Sequence, residues 1–531
     1  MSKETFYIST PIYYSSGDLH IGHTYTTVAA DVMARYKRMQ GFDVMFLTGT
    51  DEHGMKVEKS AEAAGVTPQQ FVDDLLYKDG GILSLWKLMN ISYDRFIRTT
   101  DDYHIKSIQT IFRQLYDKGD IYKSVYKGLY CVPCESFWTE SQLSDGNCPD
   151  CNRSVEYAEE EAYFFRQSKY ADEIISRIAD YLEPSTRVNE MMNNFLKPGL
   201  EDICVTRTSF KWGIPVDFDP GHVIYVWVDA LSNYITALGY GNNKYDDFDK
   251  YWPCDVHYVG KEIVRLHSIL WQAMLLALDI PLPKKVFGQG WLNLDGVKMS
   301  KSRGNVIDPI ILAERYGVDA LRFFMLREYT FGTDGNFTNE LLINRINSDL
   351  ANDLGNLVSR TVSMVIKYFD ASLPQQISLP EQALQVDSED DELISMATGL
   401  YALYEKSMEK YAYQDALAEI FKVTSRANKY IDETTPWVLA KDEANKNRLS
   451  TVLYNLLETI RICTVLLLPY MPDSSAEILR QIGASGDIST FDSTSTFGML
   501  PKTVTVKKGD IVFPRLDLEK ELADLEHTKG T

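Results

Sequence analysis

A parallel α/β sheet, split by a cysteine-bearing insert and followed by an α-helical domain, is the fold class this sequence predicts. Three observations predict it: a strand–turn–helix–strand opening, two Cys-x-x-Cys pairs where that periodicity breaks, and a helical pattern from about residue 339 onward. Residues 6–14 are β-branched and aromatic, 15–18 form a turn, and 22–40 carry Val28, Val32 and Tyr36 on one helical stripe. Residues 43–48 read as a buried strand, completing a βαβ unit whose ligands belong at the strand C-termini. Parallel-sheet patterning is expected again at 222–228, 256–259 and 286–291, with a helix over 263–278. The segments 341–369, 392–411, 416–433 and 447–467 read as a helical bundle, with a Pro- and acid-rich connector at 370–391. The expected domains are 1–118 and 222–338 as two halves of the α/β domain, 119–221 as the insert, 339–500 as the helical domain, and 501–531 as a tail.

At 531 residues the chain has material for two to four domains. Its net charge of −21 argues, on the simplest reading, against a nucleic-acid partner. That charge is concentrated, however. Residues 135–161 carry −7 and residues 368–405 carry −8, leaving −6 over the other 466. No apolar window reaches the ~18 residues of a membrane span, and residues 1–10 lack a signal-peptide core, so no membrane partner and a cytoplasmic location are expected. Seven cysteines, four of them within 131–151, make no disulfide framework and favour a reducing compartment with one metal cluster.

Two separated motifs carry the chemistry. In His20-Ile21-Gly22-His23, two imidazoles sit three residues apart where a strand turns into a helix, whose N-terminus favours phosphate. Gly22 is expected to let a ligand approach. In Lys298-Met299-Ser300-Lys301-Ser302, two lysines flank a serine on a loop, point charges able to follow moving phosphates. Either motif alone is compatible with packing or a solvated loop; their order across a split sheet is what points to phosphate handling. Cys131, Cys134, Cys148 and Cys151 form two CxxC knuckles with thirteen residues between them, the pattern of one structural Zn²⁺ with no open coordination position.

The two motifs resemble the HIGH and KMSKS motifs of class I aminoacyl-tRNA synthetases. The segments 10–14, 48–54, 225–230 and 260–263 are similar to the methionyl family within that class. The resemblance implies a Rossmann-type sheet split by a connective insert, an anticodon-binding helical bundle, and a methionine–tRNA ligase. Such an enzyme forms methionyl-adenylate and pyrophosphate from methionine and Mg²⁺-ATP, then charges initiator and elongator tRNA(Met) at the terminal adenosine. By resemblance, His20, Gly22, His23, Gly260, Glu262, Lys298, Ser300 and Lys301 bind ATP, the two histidines and two lysines being catalytic. Ile12, Tyr14, Trp227, Ala230, Tyr234, Ile263 and His267 surround the methionine side chain, and Asp51 holds its ammonium. Glu262 departs from the Asp common in relatives. Asn356 and Arg360, i and i+4 on one helix face, and Trp437 match positions that read the anticodon. A monomer is expected. The rivals are a class I enzyme for cysteine or a branched aliphatic amino acid, and a non-catalytic tRNA-binding relative; the intact histidines and lysines speak against the last.

Overall fold

The computed structural model describes residues 3–528, apart from 135, 139, 141–142, 150, 209, 295, 300–305 and 375–387. The chain divides into two compact units, 1–291 and 292–531. The segment 292–338, expected to finish the α/β domain, falls in the second of them.

Unit 1 is built on a six-stranded, all-parallel sheet. Its strands are β1 (Thr5–Tyr14), β2 (Asp43–Asp51), β3 (Arg95–Arg98), β4 (Leu182–Glu183), β5 (Val256–Gly260) and β6 (Val286–Gln289), in spatial order β3-β2-β1-β5-β6-β4. The chain winds outward from β1 in one direction through β2 and β3, then returns to add β5 and β6 on the other side. The β1/β5 boundary is therefore the switch point, where strand C-termini open a crevice. Gly49 is required in β2, because a Cβ there would lie 2.1 Å from the carbonyl oxygen of Ile97 in β3. The β1–β2 register shifts between Ser9 and Ile12, around Pro11, which has no N–H for the ladder; beyond the shift Tyr14 pairs with Asp51.

The expectation for 222–228 is corrected. The strand there is Asp219–Ile224, and it belongs to a separate antiparallel sheet with Pro215–Val216 and Thr206–Arg207. From Val226 the chain is helical, as α2 (Val226–Thr236), counting the long helix Ile21–Met39 as α1. A short apolar run has no period that separates a buried strand from the start of a buried helix. The insert carries a longer antiparallel ladder, Ile121–Cys131 against Glu156–Phe165, extended by Ser136–Trp138 and Ile203–Cys204.

Unit 2 begins with a three-stranded sheet (Val297–Lys298, Leu292–Leu294, Gly335–Phe337) and continues in helices. A helical run over 339–369 precedes α3 (Ser388–Met408), α4 (Tyr413–Thr434) and α5 (Lys446–Leu467). By length and composition α5 is apolar enough to cross a membrane, but it is buried nearly throughout as the core helix of this unit. It also holds a fully buried ion pair. Arg461 bonds Glu458 at 2.7 Å and donates to carbonyls of Ile488, Ser493 and Thr496, fastening the following loops. The region expected as a tail is structured: Thr503–Thr505 pairs with Ser372–Pro374, and Glu521 and Asp524 of the helix Leu518–Thr528 bind Arg315.

Candidate active site

The predicted residues of unit 1 lie on β1, β2, α1, α2, β5 and the helical segment that follows β5. His20 is the N-cap of α1, and its Nδ1 accepts from the Gly22 N–H at 3.1 Å. His23 Nδ1 accepts from the His20 N–H at 3.0 Å, so the two rings form a reciprocal capping box with centroids 4.0 Å apart. An imidazole that accepts at Nδ1 carries its proton on Nε2 when neutral. Each ring thereby holds an Nε2–H donor at a helix N-terminus, the end that favours negative charge. The role expected of Gly22 is refined by this geometry: a Cβ there would meet His20 Cε1 at 2.9 Å, so the glycine makes room for the His20 ring itself.

The β1–β2 register sets Tyr14 beside Asp51, which is 5 % exposed. From α2, Trp227, Ala230 and Tyr234 face the same apolar cluster as Ile12 and Ile263. His267 lies one turn beyond Ile263. Its Nδ1 is 2.9 Å from the Ile263 carbonyl, so that nitrogen donates, and Nε2 accepts from the Tyr234 hydroxyl at 2.7 Å. Burial lowers the His267 pKa to about 4, which keeps the ring neutral. An aromatic and apolar slot with one buried acidic group suits an unbranched, apolar amino acid carrying an ammonium.

At the end of β5, the Glu262 carboxylate folds back over Gly260, where a Cβ would lie 2.5 Å from it. It accepts from Trp291 Nε1 at 2.6 Å, while Lys261 Nζ sits 3.8 Å from the centre of the Trp291 ring. The extra methylene relative to Asp is what gives Glu262 this reach.

Sequence reasoning missed a buried network beside the slot. Asp229 bridges His53 (2.6 Å) and His104 (2.7 Å), and His104 also contacts Thr236 at 2.7 Å. Burial works to raise the Asp229 carboxyl, but the two imidazoles outweigh it and hold the pKa below the usual carboxylate value. His53 and Asp229 each lay in a segment singled out from the sequence, yet no local pattern pairs residues 176 positions apart.

The four insert cysteines bring their sulfurs within 4.8 Å of one another, with Cys131–Cys151 at 3.5 Å and Cys134–Cys148 at 3.7 Å. A tetrahedron of sulfurs at the usual Zn–S distance of ~2.3 Å has edges of about 3.8 Å, so the donor set fits zinc. Burial and the neighbouring sulfurs raise the Cys131 and Cys134 thiols, and a divalent cation would reverse that by stabilising thiolates.

In unit 2, Lys298 forms backbone strand at the end of Val297–Lys298, while Ser300 and Lys301 lie outside the described residues. Asn356 and Arg360 occupy successive turns of the helix Asn356–Phe369; Arg360 binds Asp432 at 3.1 Å, and Trp437 is 42 % exposed behind Pro436.

With this geometry in place, similarity to known proteins is extensive. A family model described as class I tRNA synthetases (M) matches residues 6–159 and 152–362, and one for the anticodon binding domain of methionyl tRNA ligase matches 379–528. A methionine–tRNA ligase of Caldanaerobacter subterraneus is 59 % identical over 99 % of this chain and 81 % of the relative. That of Clostridium perfringens is 56 % identical over 100 % of this chain and 81 % of the relative. The structure of Mycobacterium tuberculosis methionyl-tRNA synthetase in complex with methionyl-adenylate superposes with a TM-score of 0.89 at 40 % identity, covering 96 % of this chain and all of that one.

Proposed function

The chain belongs to the class I methionyl-tRNA synthetase family, and on that premise we propose how its own residues carry the ligation of methionine to tRNA(Met) at the expense of ATP. The methionine carboxylate attacks the α-phosphorus of Mg²⁺-ATP and pyrophosphate leaves. The tRNA terminal adenosine then takes the aminoacyl group from the adenylate. Phosphoryl transfer of this kind depends on positioning and charge stabilisation more than on covalent help from the protein.

His20 and His23 donate from Nε2 to phosphate oxygens at the N-terminus of α1, where developing negative charge is favoured. Lys298 and Lys301 neutralise the departing pyrophosphate, with Ser300 beside them. Gly260 and Glu262 hold the nucleoside, Asp51 the methionine ammonium. Ile12, Tyr14, Trp227, Ala230, Tyr234, Ile263 and His267 wall the thioether. Asn356, Arg360 and Trp437 read the anticodon of initiator and elongator tRNA by edge hydrogen bonds and stacking. Cys131, Cys134, Cys148 and Cys151 hold one Zn²⁺, which when bound fastens the insert. The chain acts as a cytoplasmic monomer.

The observation that carries this reading is the order of the elements: His20 and His23 cap the helix that follows β1, and His267, bonded to Tyr234, lies in the segment that follows β5, the neighbour of β1 in the sheet. The test is ATP–pyrophosphate exchange dependent on methionine, with isoleucine and cysteine as controls. Exchange with methionine alone is expected; exchange driven equally by either control would overturn it.

A further inference from the structure

One buried carboxylate ties the ammonium end of the candidate amino-acid site to its side-chain end. Asp229, 1 % exposed on α2, accepts from His53 Nδ1 at 2.6 Å and from His104 Nε2 at 2.7 Å. His53 stands two residues after Asp51, the proposed ammonium anchor, and Asp229 stands next to Ala230 of the slot wall. The residue between Asp51 and His53 is held by another element, since Glu52 accepts from Arg98 of β3 at 2.8 Å and from Thr100 at 2.5 Å. On α2 two faces are distinct. At about 100° per residue, Trp227, Ala230 and Tyr234 lie together, while Asp229 and Thr236 lie roughly a third of a turn away. His104, on the helix Asp102–Asp117, bonds both of the latter, Thr236 also at 2.7 Å, and so grips two turns of α2 at once. Two such points oppose rotation of the helix about its axis. The margin is small: a rotation of ~10° moves side chains ~6 Å from the axis by about 1 Å. Apolar packing could fill the same space, but hydrogen bonds fix a direction and a length, and a buried carboxylate stays charged only where its donors are in place.

We propose that Asp229 is a positioning residue for amino-acid selection: through His53 and His104 it fixes the distance between the Asp51 anchor and the slot wall on α2, and so sets the length of side chain the site accepts. This rests on the function proposed above. One methylene in an apolar pocket is worth only about ten- to two-hundredfold in selectivity. Even that is lost if anchor and wall can shift against each other by as much as a methylene adds. Asparagine separates hydrogen bonding from charge at this position. Its amide oxygen can accept from His53 Nδ1–H while its nitrogen donates to His104 Nε2, with His104 then carrying its proton on Nδ1 and donating to the Thr236 hydroxyl. Asp229→Asn therefore keeps all three contacts and removes the charge, whereas Asp229→Ala strands both imidazoles.

The test measures amino-acid-dependent pyrophosphate exchange on full chains of the parent, Asp229→Ala, Asp229→Asn, His53→Ala and His53→Asn, the last returning an amide N–H to the place of Nδ1. KM for methionine, KM for ATP, and kcat/KM for the S-ethyl homologue ethionine relative to methionine are read on each, with Tm as the check on folding. Asp229→Ala and His53→Ala are expected to raise KM for methionine about tenfold, to leave KM for ATP within about twofold, and to shift the ratio toward ethionine about fivefold. Both asparagine variants should bring KM and ratio back to within about threefold of parent. If Asp229→Ala does not fold, His53→Ala, which leaves Asp229 its His104 partner, carries the same readouts. KM for methionine and ATP rising together in the alanine variants, or an unchanged ethionine ratio, would overturn the proposal. So would Asp229→Asn behaving as Asp229→Ala, because charge and not a fixed length would then be the cause. Lack of methionine-dependent exchange in the parent would instead refute the functional reading itself.

Discussion

His267 has to stay neutral to do its work, since only an unprotonated Nε2 can accept the Tyr234 hydroxyl while Nδ1–H is spent on the Ile263 carbonyl. Burial secures this by bringing the pKa to about 4 from an ordinary 6.5. Above pH 6.5 the ring is neutral folded or unfolded and contributes no pH dependence. Between 6.5 and about 4 the unfolded chain binds the proton and the folded one does not, so stability falls with pH, by on the order of 3 kcal/mol in all. His257, also lowered by burial, acts with the same sign. Denaturant midpoints of His267→Gln and parent at pH 7 and pH 5 check this: the variant should show the shallower loss, and identical slopes would refute it. Gly22 supports a second expectation at this scale. Gly22→Ala places a methyl 2.9 Å from His20 Cε1, so the ring must leave its cap; pyrophosphate exchange should drop at least tenfold with Tm within a few degrees of parent. Both residues were named from the sequence, but their reasons were not legible there. The partner of His267 is 33 residues away in the chain, and the space beside Gly22 is taken by a ring whose rotamer no spacing reveals.

Among the elements, the insert divides what sequence can show from what it cannot. Its CxxC knuckles were legible because a metal imposes ligand type and spacing directly. The strand Leu182–Glu183, which the insert returns to the edge of the parallel sheet, was not, because two residues have no periodicity. Nor did the apolar stretch after Asp219 disclose an antiparallel strand turning into a helix. The knuckle's core is small: Trp138, Cys131 and Cys148 are its buried members, with Leu143 and Val155 against them. So few apolar contacts among the described residues leave the metal as the main restraint. A chelator strong enough to strip zinc is expected to release one equivalent per chain and to open residues 131–155 to proteolysis or amide exchange, while β1, β2 and β5 stay protected. Full protection of the knuckle after metal loss would refute that.

For the molecule as a whole, the charge of −21 is reconciled with an RNA substrate by where the acids sit. On the insert ladder Glu159 and Glu161 are answered by Lys127 (2.9 Å) and Lys123 (3.0 Å), pairs too exposed to add much stability but enough to mute the local field. The proposed anticodon surface is different in kind. It offers one guanidinium, on Arg360, loosely tied to an exposed Asp432, and one large exposed ring, on Trp437. Charge and stacking contribute there through separate residues, and salt separates them. Stacking on Trp437 is worth ~1–3 kcal/mol and releases no counterion, so Trp437→Ala should weaken tRNA binding about ten- to a hundredfold at every salt concentration, with an unchanged log Kd–log salt slope. Arg360→Gln, if the side chain meets a phosphate, should flatten that slope by about one; if it reads a base edge, the slope should hold and discrimination among anticodon variants should fall instead. At 42 % exposure Trp437 contributes little to the core, so its loss should leave Tm and methionine-dependent exchange at parental levels. Parallel loss of exchange and charging in Trp437→Ala would mean that the ring supports the fold, and the anticodon assignment would fail.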